Sequence, residues 1–274
     1  MAFSVRNNMT AVFTQRNLLG TQNEVASVME RLASGYRINR AADDAAGLAI
    51  SEKLRAQVRG LNQAARNAQD GISVIQTAEA ALGETGSILQ RMRELAVEAA
   101  NDTLTSDDRT DIQTEINELL SEVNRFSTTT EFNTKQLVSG SLATTALTLQ
   151  IGANQGQTIS FTIMNAGTAS LAISGIAVSV QACAASAIAS IDAAISTVST
   201  ERAKLGALQN RLERTISNLN SQSENLQASE SRIRDADIAR ETTNLTRLQI
   251  LQQAGIAAQA QANTVPQVVL SLLR

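Results

Sequence analysis

Apolar residues recur at alternating intervals of three and four along two stretches of about fifty residues, and this spacing constrains the fold most strongly. The first apolar stripe runs from Leu54 to Ala96 and is interrupted only by Glu79 and Gly86. The single proline, Pro266, lies far from it, so nothing in the sequence breaks a helix here. We predict one helix over residues 48–99, roughly 75 Å long at ~1.5 Å per residue.

A second stripe of the same kind runs from Ile188 to Leu226 and contains Arg202 and Ser223 among its apolar members. It predicts a helix over about 182–233. A third, shorter helix is expected over about 106–127, with Ser106 as its N-cap. Two long helices of similar length, joined through a short middle segment, predict an antiparallel rod with both chain termini at the same end.

The middle of the chain changes in character, since residues 136–191 contain no charged side chain. Apolar and polar residues alternate over 147–151 and again over 159–163, which predicts a β-hairpin within a β region of about 140–180. A second short β element is expected within 171–180. If the apolar side chains fold inward, the outer face consists of hydroxyls; these are Thr148, Thr158, Ser160 and Thr162.

The terminal segments 1–42 and 235–274 also carry apolar residues at heptad spacing. They predict an α-helical coiled coil whose C-terminal seam contains small residues such as Gly255. Such a seam buries little area, so we expect these segments to be unfolded in the free subunit and stable only against other copies. The predicted seam residues are Leu18, Val25, Met29, Leu32, Leu248, Leu251, Val265, Val269 and Leu272.

Composition excludes several classes of function. The chain has no histidine and one cysteine, which removes histidine-based catalytic triads, histidine-bound zinc and internal disulfides. No metal site, cofactor or catalytic residue is therefore expected, and Cys183 is predicted to be a small core residue. The net charge of −3 gives no support for nucleic-acid binding. No segment reads as a membrane span or Sec signal peptide, so these features alone predict a cytosolic protein.

Several long motifs resemble the terminal regions of bacterial flagellin. They are RLASGYRIN at 31–39, ADDAAGLAI at 42–50, GLNQAARNAQDGIS at 60–73, LQRMRELAV at 89–97, LGALQNR at 205–211, SRIRDAD at 231–237 and QILQQAG at 249–255. Tyr36 departs from the leucine that is usual in the family. The short middle implies a short form that lacks the large outer domains.

The resemblance implies a mainly α fold and a structural subunit that self-assembles into the flagellar filament, the helical propeller for swimming. Segments 1–42 and 235–274 would form the inner tube, and 43–234 would form the rod domain. The protein would be extracellular, exported by the flagellar type III apparatus. Its partners would be other copies, an export chaperone, the filament cap and hook-junction proteins. One alternative is a hook–filament junction protein. Another is an enzyme with a metallopeptidase insert, although the missing histidines and the short middle argue against it.

The adjacent carboxylates Asp43 and Asp44 lie beside Arg37 in the sequence. Because neighbouring helical residues point to different faces, the two are a poor catalytic pair. Helix N-terminal charge or a salt bridge between elements is the favoured interpretation. The resemblance places Arg37, Asn39, Asp43 and Asp44 in the connector between the coiled coil and the rod.

A second candidate surface comprises Gln90, Arg91, Leu95 and Glu115. Charged residues here are most simply a solvated helix face. The resemblance matches Arg91, Leu95 and Glu115 to the patch that the vertebrate innate receptor for flagellin binds, with an exposed Leu95 as anchor. For the uncharged middle, the resemblance also implies the alternative of O-linked sugars on serine and threonine.

Overall fold

The computed structural model describes residues 8–271 of the chain, and side-chain exposure up to residue 264. The chain forms two compact units. The terminal unit contains the chain up to Ala56 and again from Asn225, and the central unit is Gln57–Glu224. The predicted assembly and rod domains are divided at 42/43 and 234/235 instead, and that functional division stays a prediction.

Six helices and two small antiparallel sheets make up the described chain, so the expected mainly α fold is confirmed. The helices are α1 (Met9–Ser34), α2 (Ala45–Ala99), α3 (Ser106–Thr129), α4 (Ser141–Thr144), α5 (Gln181–Arg234) and α6 (Ile238–Ser271). The strands are β1 (Glu131–Phe132), β2 (Lys135–Gln136), β3 (Leu147–Gln150) and β4 (Thr158–Phe161). Thr105, one residue before the expected Ser106, caps α3 through a reciprocal capping box with Asp108.

In the central unit α2 and α5 run antiparallel, as the equal stripes predicted. Polar side chains of the two helices bond to one another across the pair, including Glu79 and Arg202, which interrupt the two apolar stripes. Three such contacts follow in order along the helices: Asn62 with Ser223 at 2.9 Å, Glu79 with Arg202 at 3.7 Å, and Arg93 with Asp192 at 2.6 Å.

One hydrophobic core fills the central unit. Helices α2, α3 and α5 and the segment between α3 and α5 all contribute buried side chains. The largest fully buried ones include Ile75, Leu82, Leu89, Met92, Ile116, Leu137, Ile163, Ile173, Ile191, Leu205 and Leu212.

Helix α5 contains an 18-residue window with a mean hydropathy of 1.4, long and apolar enough to cross a membrane by composition alone. The sequence analysis expected no such window. The first part of α5 is rich in alanine, and one face of it packs into the core of the central unit through Ala184, Ala187 and Ile191.

The predicted hairpin is confirmed as β3 and β4. Leu149 pairs with Ile159, and Leu147 pairs with Phe161. Ile159, Phe161 and Ile163 are buried, so the apolar face does fold inward. The hydroxyl face is exposed as expected at Thr148, Thr158, Ser160 and Thr162.

The expected β element within 171–180 is absent, and these residues form turns and irregular backbone. Polar side chains of α3 take the place of a strand partner. Gln113 accepts a hydrogen bond from the Val178 N–H at 2.6 Å and donates one to the Ile176 carbonyl at 3.2 Å. The alternation in this segment therefore reflects burial of every second or third apolar side chain without a sheet.

The sequence analysis missed the short hairpin of β1 and β2. Its two turn residues have positive φ angles, 48° at Asn133 and 63° at Thr134. Asparagine tolerates this conformation, but β-branched threonine is strained there.

We expect Thr134→Gly to raise the free energy of unfolding by about 1 kcal/mol, because glycine adopts positive φ without steric cost. Urea denaturation of the full chain measures the change. The matched control is Thr148→Gly, on an exposed strand position, which should lose about 0.5–1 kcal/mol. If Thr134→Gly lowered the free energy of unfolding, the inference that Thr134 is strained would be wrong.

In the terminal unit α1 packs against α6, with Cα atoms of the two helices within 8 Å. Small residues permit this approach, since a Cβ added at Gly255 would lie 3.3 Å from Leu18 Cδ1. Only Val28, Leu248 and Ala262 of these two helices are buried among the side chains described. The pair therefore has close backbones and a thin core, as the small seam predicted.

Candidate functional site

The outward faces of α1 and α6 carry large apolar side chains. Their exposed fractions range from 51% to 71%; the residues are Met9, Val12, Phe13, Leu19 and Met29 on α1, and Ile250, Leu251 and Ile256 on α6. In the central unit the described large apolar side chains of comparable exposure are Val97 at 49% and Val180 at 56%. Exposed apolar surface is thus concentrated in the terminal unit.

Helix α1 has two apolar faces. Leu18, Val25 and Val28 are spaced by seven and three residues, which places them on the face toward α6. Met9 and Phe13 are four residues apart on another face and point away from it, with exposed fractions of 71% and 55%. A helix with one apolar stripe needs one partner, so the second stripe of α1 has no cover within the described chain.

The predicted seam residues therefore divide into two groups. Leu18, Val25 and Leu32 are half-buried and Leu248 is buried, as a seam between α1 and α6 requires. Met29 and Leu251 are 53% and 51% exposed, so placing them in this seam was wrong.

The seam residue that sequence reasoning missed is Val28, which is 3% exposed. A heptad register that included Met29 excluded its neighbour. Of the remaining predictions, Leu272 lies outside the described residues, and the side chains of Val265 and Val269 lie outside the part described.

In the connector between α1 and α2, both carboxylates bind backbone N–H groups. Asp43 Oδ2 accepts hydrogen bonds from the N–H groups of Arg40 at 2.9 Å and Asn39 at 3.1 Å. The Arg40 bond, followed by the Asn39 bond, holds the pKa of Asp43 below its usual value. Asp44 Oδ1 accepts from the Gly47 N–H at 2.8 Å, at the start of α2.

No ion pair to Asp43 or Asp44 occurs among the described residues, so the salt-bridge interpretation of this pair was wrong. Their role is to form a turn and to cap α2. Arg37 donates a 2.6 Å hydrogen bond to the Ile233 carbonyl and so links the connector to the end of α5.

The structure brings together only part of the candidate receptor-binding surface, which was predicted to comprise Gln90, Arg91, Leu95 and Glu115. Arg91 donates from Nε and Nη2 to Glu115 at 3.1 and 2.9 Å and contacts Glu94 at 3.3 Å. The hydrogen bond to Glu115, the larger effect, and that to Glu94 raise the pKa of Arg91. Gln90 is exposed beside them.

Leu95 is 2% exposed and belongs to the core, so the expected exposed leucine anchor was wrong. Helix α2 contacts both α5 and the α3 side of the unit, so its buried face is wider than the single stripe read from the sequence. Position 95 falls within that wider face.

The prediction for Cys183 was also wrong, because this cysteine is exposed near the start of α5. Its neighbour Ala184 takes the core position instead. Within the described residues, no group of three or more acidic or cysteine side chains could hold a metal ion.

Two family profiles match this chain, one in its N-terminal part and one in its C-terminal part. The profile of the bacterial flagellin N-terminal helical region matches residues 5–143, and that of the C-terminal helical region matches residues 188–273. The chain belongs to the flagellin family. Only residues 144–187 of this flagellin lie between the two matches, which agrees with a short form without large outer domains.

Full-length relatives are similar in sequence to this flagellin. The flagellin of Halalkalibacterium halodurans is 50% identical over 272 residues, which cover 98% of this chain and 99% of its own. The crystal structure of Bacillus cereus flagellin is 31% identical, with a TM-score of 0.51 over 60% of this chain and 94% of that one.

A hook-associated protein structure from Vibrio parahaemolyticus has a TM-score of 0.60 at 15% identity, covering 70% of this chain and 100% of that one. At this identity the likeness shows a shared fold only.

These matches establish that this flagellin is a structural subunit of the bacterial flagellar filament, which lies outside the cell. The hook-junction alternative is not better supported. Flagellin is a structural protein family, which is consistent with the expectation that the chain is not an enzyme.

Proposed function

We propose that the α1–α6 pair is the element through which copies of this flagellin join into a filament. The observation that carries the proposal is the outward apolar face of both helices, which the described chain leaves uncovered. In this account the terminal segments 1–42 and 235–274 line the inner tube, and residues 43–234 form the surrounding rod domains.

Physical chemistry supports this role for the helix pair. A pair that buries only three described side chains gains little free energy from its own seam, at about 25 cal/mol per Å² of apolar surface. Covering Met9 and Phe13 with a neighbouring copy buries further apolar area, which offsets the entropy cost of holding the two helices in place. A face on one copy that binds a different face on the next builds an open helical filament when the rotation between copies does not close into a ring.

The same exposed face bears on export and on the proposed protein partners. An uncovered apolar helix is prone to aggregate in the cytoplasm. We therefore include in the proposal an export chaperone that covers it, unfolded passage through the type III apparatus without a Sec signal, and contacts with the filament cap and hook-junction proteins.

Deletion of the gene from the producing bacterium tests the role in the cell. Cells without it should lack long filaments and should not swim, and the intact gene should restore both. If the deleted strain made filaments of normal length but shed them into the medium, the hook–filament junction role would be correct instead.

We further propose that exposed hydroxyls between Thr168 and Ser186 carry O-linked sugars. Thr168 itself is a poor acceptor, because its side chain is 5% exposed and donates to Asn124 Oδ1 at 2.9 Å. Ser170, Ser174 and Ser179 are exposed. Intact mass spectrometry of filaments from native cells should show mass above the bare chain, and a mass equal to the bare chain, with or without Met1, would remove this proposal.

Recognition by a vertebrate innate receptor for flagellin is the last part of the proposal. Its support is the resemblance together with the exposed, mutually bonded Arg91 and Glu115. Without Leu95 as anchor, binding would depend on these polar groups. Arg91→Ala should weaken the response of receptor-expressing reporter cells, while the nearby Arg93→Ala serves as control, and equal responses would contradict the assignment.

A further inference from the structure

Two short connectors are paired in the terminal unit, residues 35–44 between α1 and α2 and residues 235–237 between α5 and α6. Tyr36 and Asp235 form an antiparallel bridge. The Arg37 N–H donates to the Arg234 carbonyl at 2.7 Å, and the Ala236 N–H donates to the Gly35 carbonyl at 2.9 Å. The end of α1 and the beginning of α6 are therefore joined to the same pair of bonded connectors.

The side chain of Arg234 lies at the centre of this pairing. Its guanidinium is 4.6 Å from the centroid of the Tyr36 ring, and Nη1 is 2.8 Å from Glu52 Oε1. The side chain is 13% exposed, and Nε donates no hydrogen bond within the described residues. Arg234 is the last residue of α5, and its guanidinium contacts both the Tyr36 connector and Glu52 on α2.

The two contacts contribute differently. Glu52 is half exposed and also pairs with Arg55 at 3.2 Å, so the ion pair to Arg234 is weakened by solvent and shared. Stacking of a buried planar cation on an aromatic ring is less screened, and lysine cannot reproduce it. The Tyr36 contact is therefore the more specific of the two.

We propose that Arg234 is a positioning residue for filament assembly, which fixes the Tyr36 connector to the end of α5 and thereby holds α1 beside α6. This inference rests on the proposed role of the α1–α6 pair. Arg31 on α1 and Glu241 on α6 form an ion pair at 3.4 Å, and this second contact favours the same arrangement of the two helices. When the connector is released, α1 loses its fixed direction although both helices remain intact.

Tyr36 makes the connector directly observable, because it is the only tyrosine and the chain has no tryptophan. In the intact chain Tyr36 is 39% exposed. Arg234→Gln should expose its ring further, and acrylamide quenching of the tyrosine fluorescence should rise about twofold. Trypsin cleavage after Arg37 and Arg40 should become about tenfold faster. Arg234→Lys should give intermediate values in both measurements.

Assembly is measured on the same full-length variants as the rate of filament elongation from sonicated seeds. Arg234→Gln should elongate about tenfold more slowly than the intact chain, with an unchanged melting curve for the central unit. The control is Arg232→Gln, since Arg232 is exposed on the same helix and its side chain donates a hydrogen bond to Ser229 Oγ at 3.0 Å.

Each outcome decides between the two proposals. Unchanged quenching in Arg234→Gln would overturn the connector contact, and increased quenching with normal elongation would overturn the positioning role. If the intact chain failed to elongate seeds, the proposed assembly role of the helix pair would fail, while the quenching measurement would still decide the connector contact.

Discussion

Deletion of residues 240–274 will abolish filament formation and leave the central unit folded. The deletion removes nearly all of α6 and exposes the seam face of α1, so α1 loses its partner. Among the described residues, the buried side chains of the central core lie between Ala68 and Leu212. Sedimentation after seeding measures assembly, and circular dichroism melting measures the central unit. Deletion of residues 1–40 should have the same two effects.

The melting transition of the truncated protein is the internal control, because it separates loss of assembly from global unfolding. Filaments formed by either truncated protein would contradict the assignment of the termini as the assembly element. Hydrogen exchange on the intact free subunit adds a related test. The thin seam predicts lower protection for α1 and α6 than for the helices of the central unit, because a helix pair with a small buried seam opens more often.

Leu212→Ala will destabilise the central unit by about 2–5 kcal/mol. Leu212 is 0% exposed on α5, and a Cβ added at Gly71 of α2 would lie 3.5 Å from its Cδ1, so the cavity lies between closely packed helices. For a unit of this size the melting temperature should fall by about 5–15 °C. Differential scanning calorimetry of the full chain measures this shift.

Val97→Ala is the matched control, since Val97 is 49% exposed on α2 in the same unit. Its free energy of unfolding should change by less than about 0.5 kcal/mol. An unchanged melting curve for Leu212→Ala would mean that the predicted stripe does not form the interior of the subunit.

The long helices and the hairpin could be predicted because their patterns are local and repeated. A stripe from Leu54 to Ala96 allows only one helical face, and alternation around Leu149 and Ile159 allows only one strand register. Even the interruptions were informative, since Glu79 in one stripe and Arg202 in the other meet as an ion pair.

The errors arise where one element contacts several others. Leu95 was placed on the surface because the family resemblance matched it to the receptor-bound patch, whereas the core around α2 also receives side chains from α3 and the irregular segment. A short β element was expected within 171–180, but the side chain of Gln113 on α3 bonds the Val178 N–H and the Ile176 carbonyl in place of a strand partner. Neither contact has a local signature in the sequence.

The heptad spacing predicted that α1 pairs with α6, but not which faces of the two helices point outward. The heptad spacing located Leu18 and Leu248 correctly on the seam, yet it could not show which neighbouring residues face outward. Heptad reading assumes one seam for each helix. Met29 and Leu251 face outward, so the outer face of this pair became visible only in three dimensions.

Electron microscopy of the purified full-length protein after seeding tests the central claim most directly. The account predicts that short sonicated filaments of this flagellin, incubated with excess free subunit and no other protein, grow to micrometre lengths in negative stain. Seeds that keep their original length, or that acquire only a short terminal layer, would contradict a self-assembling filament subunit.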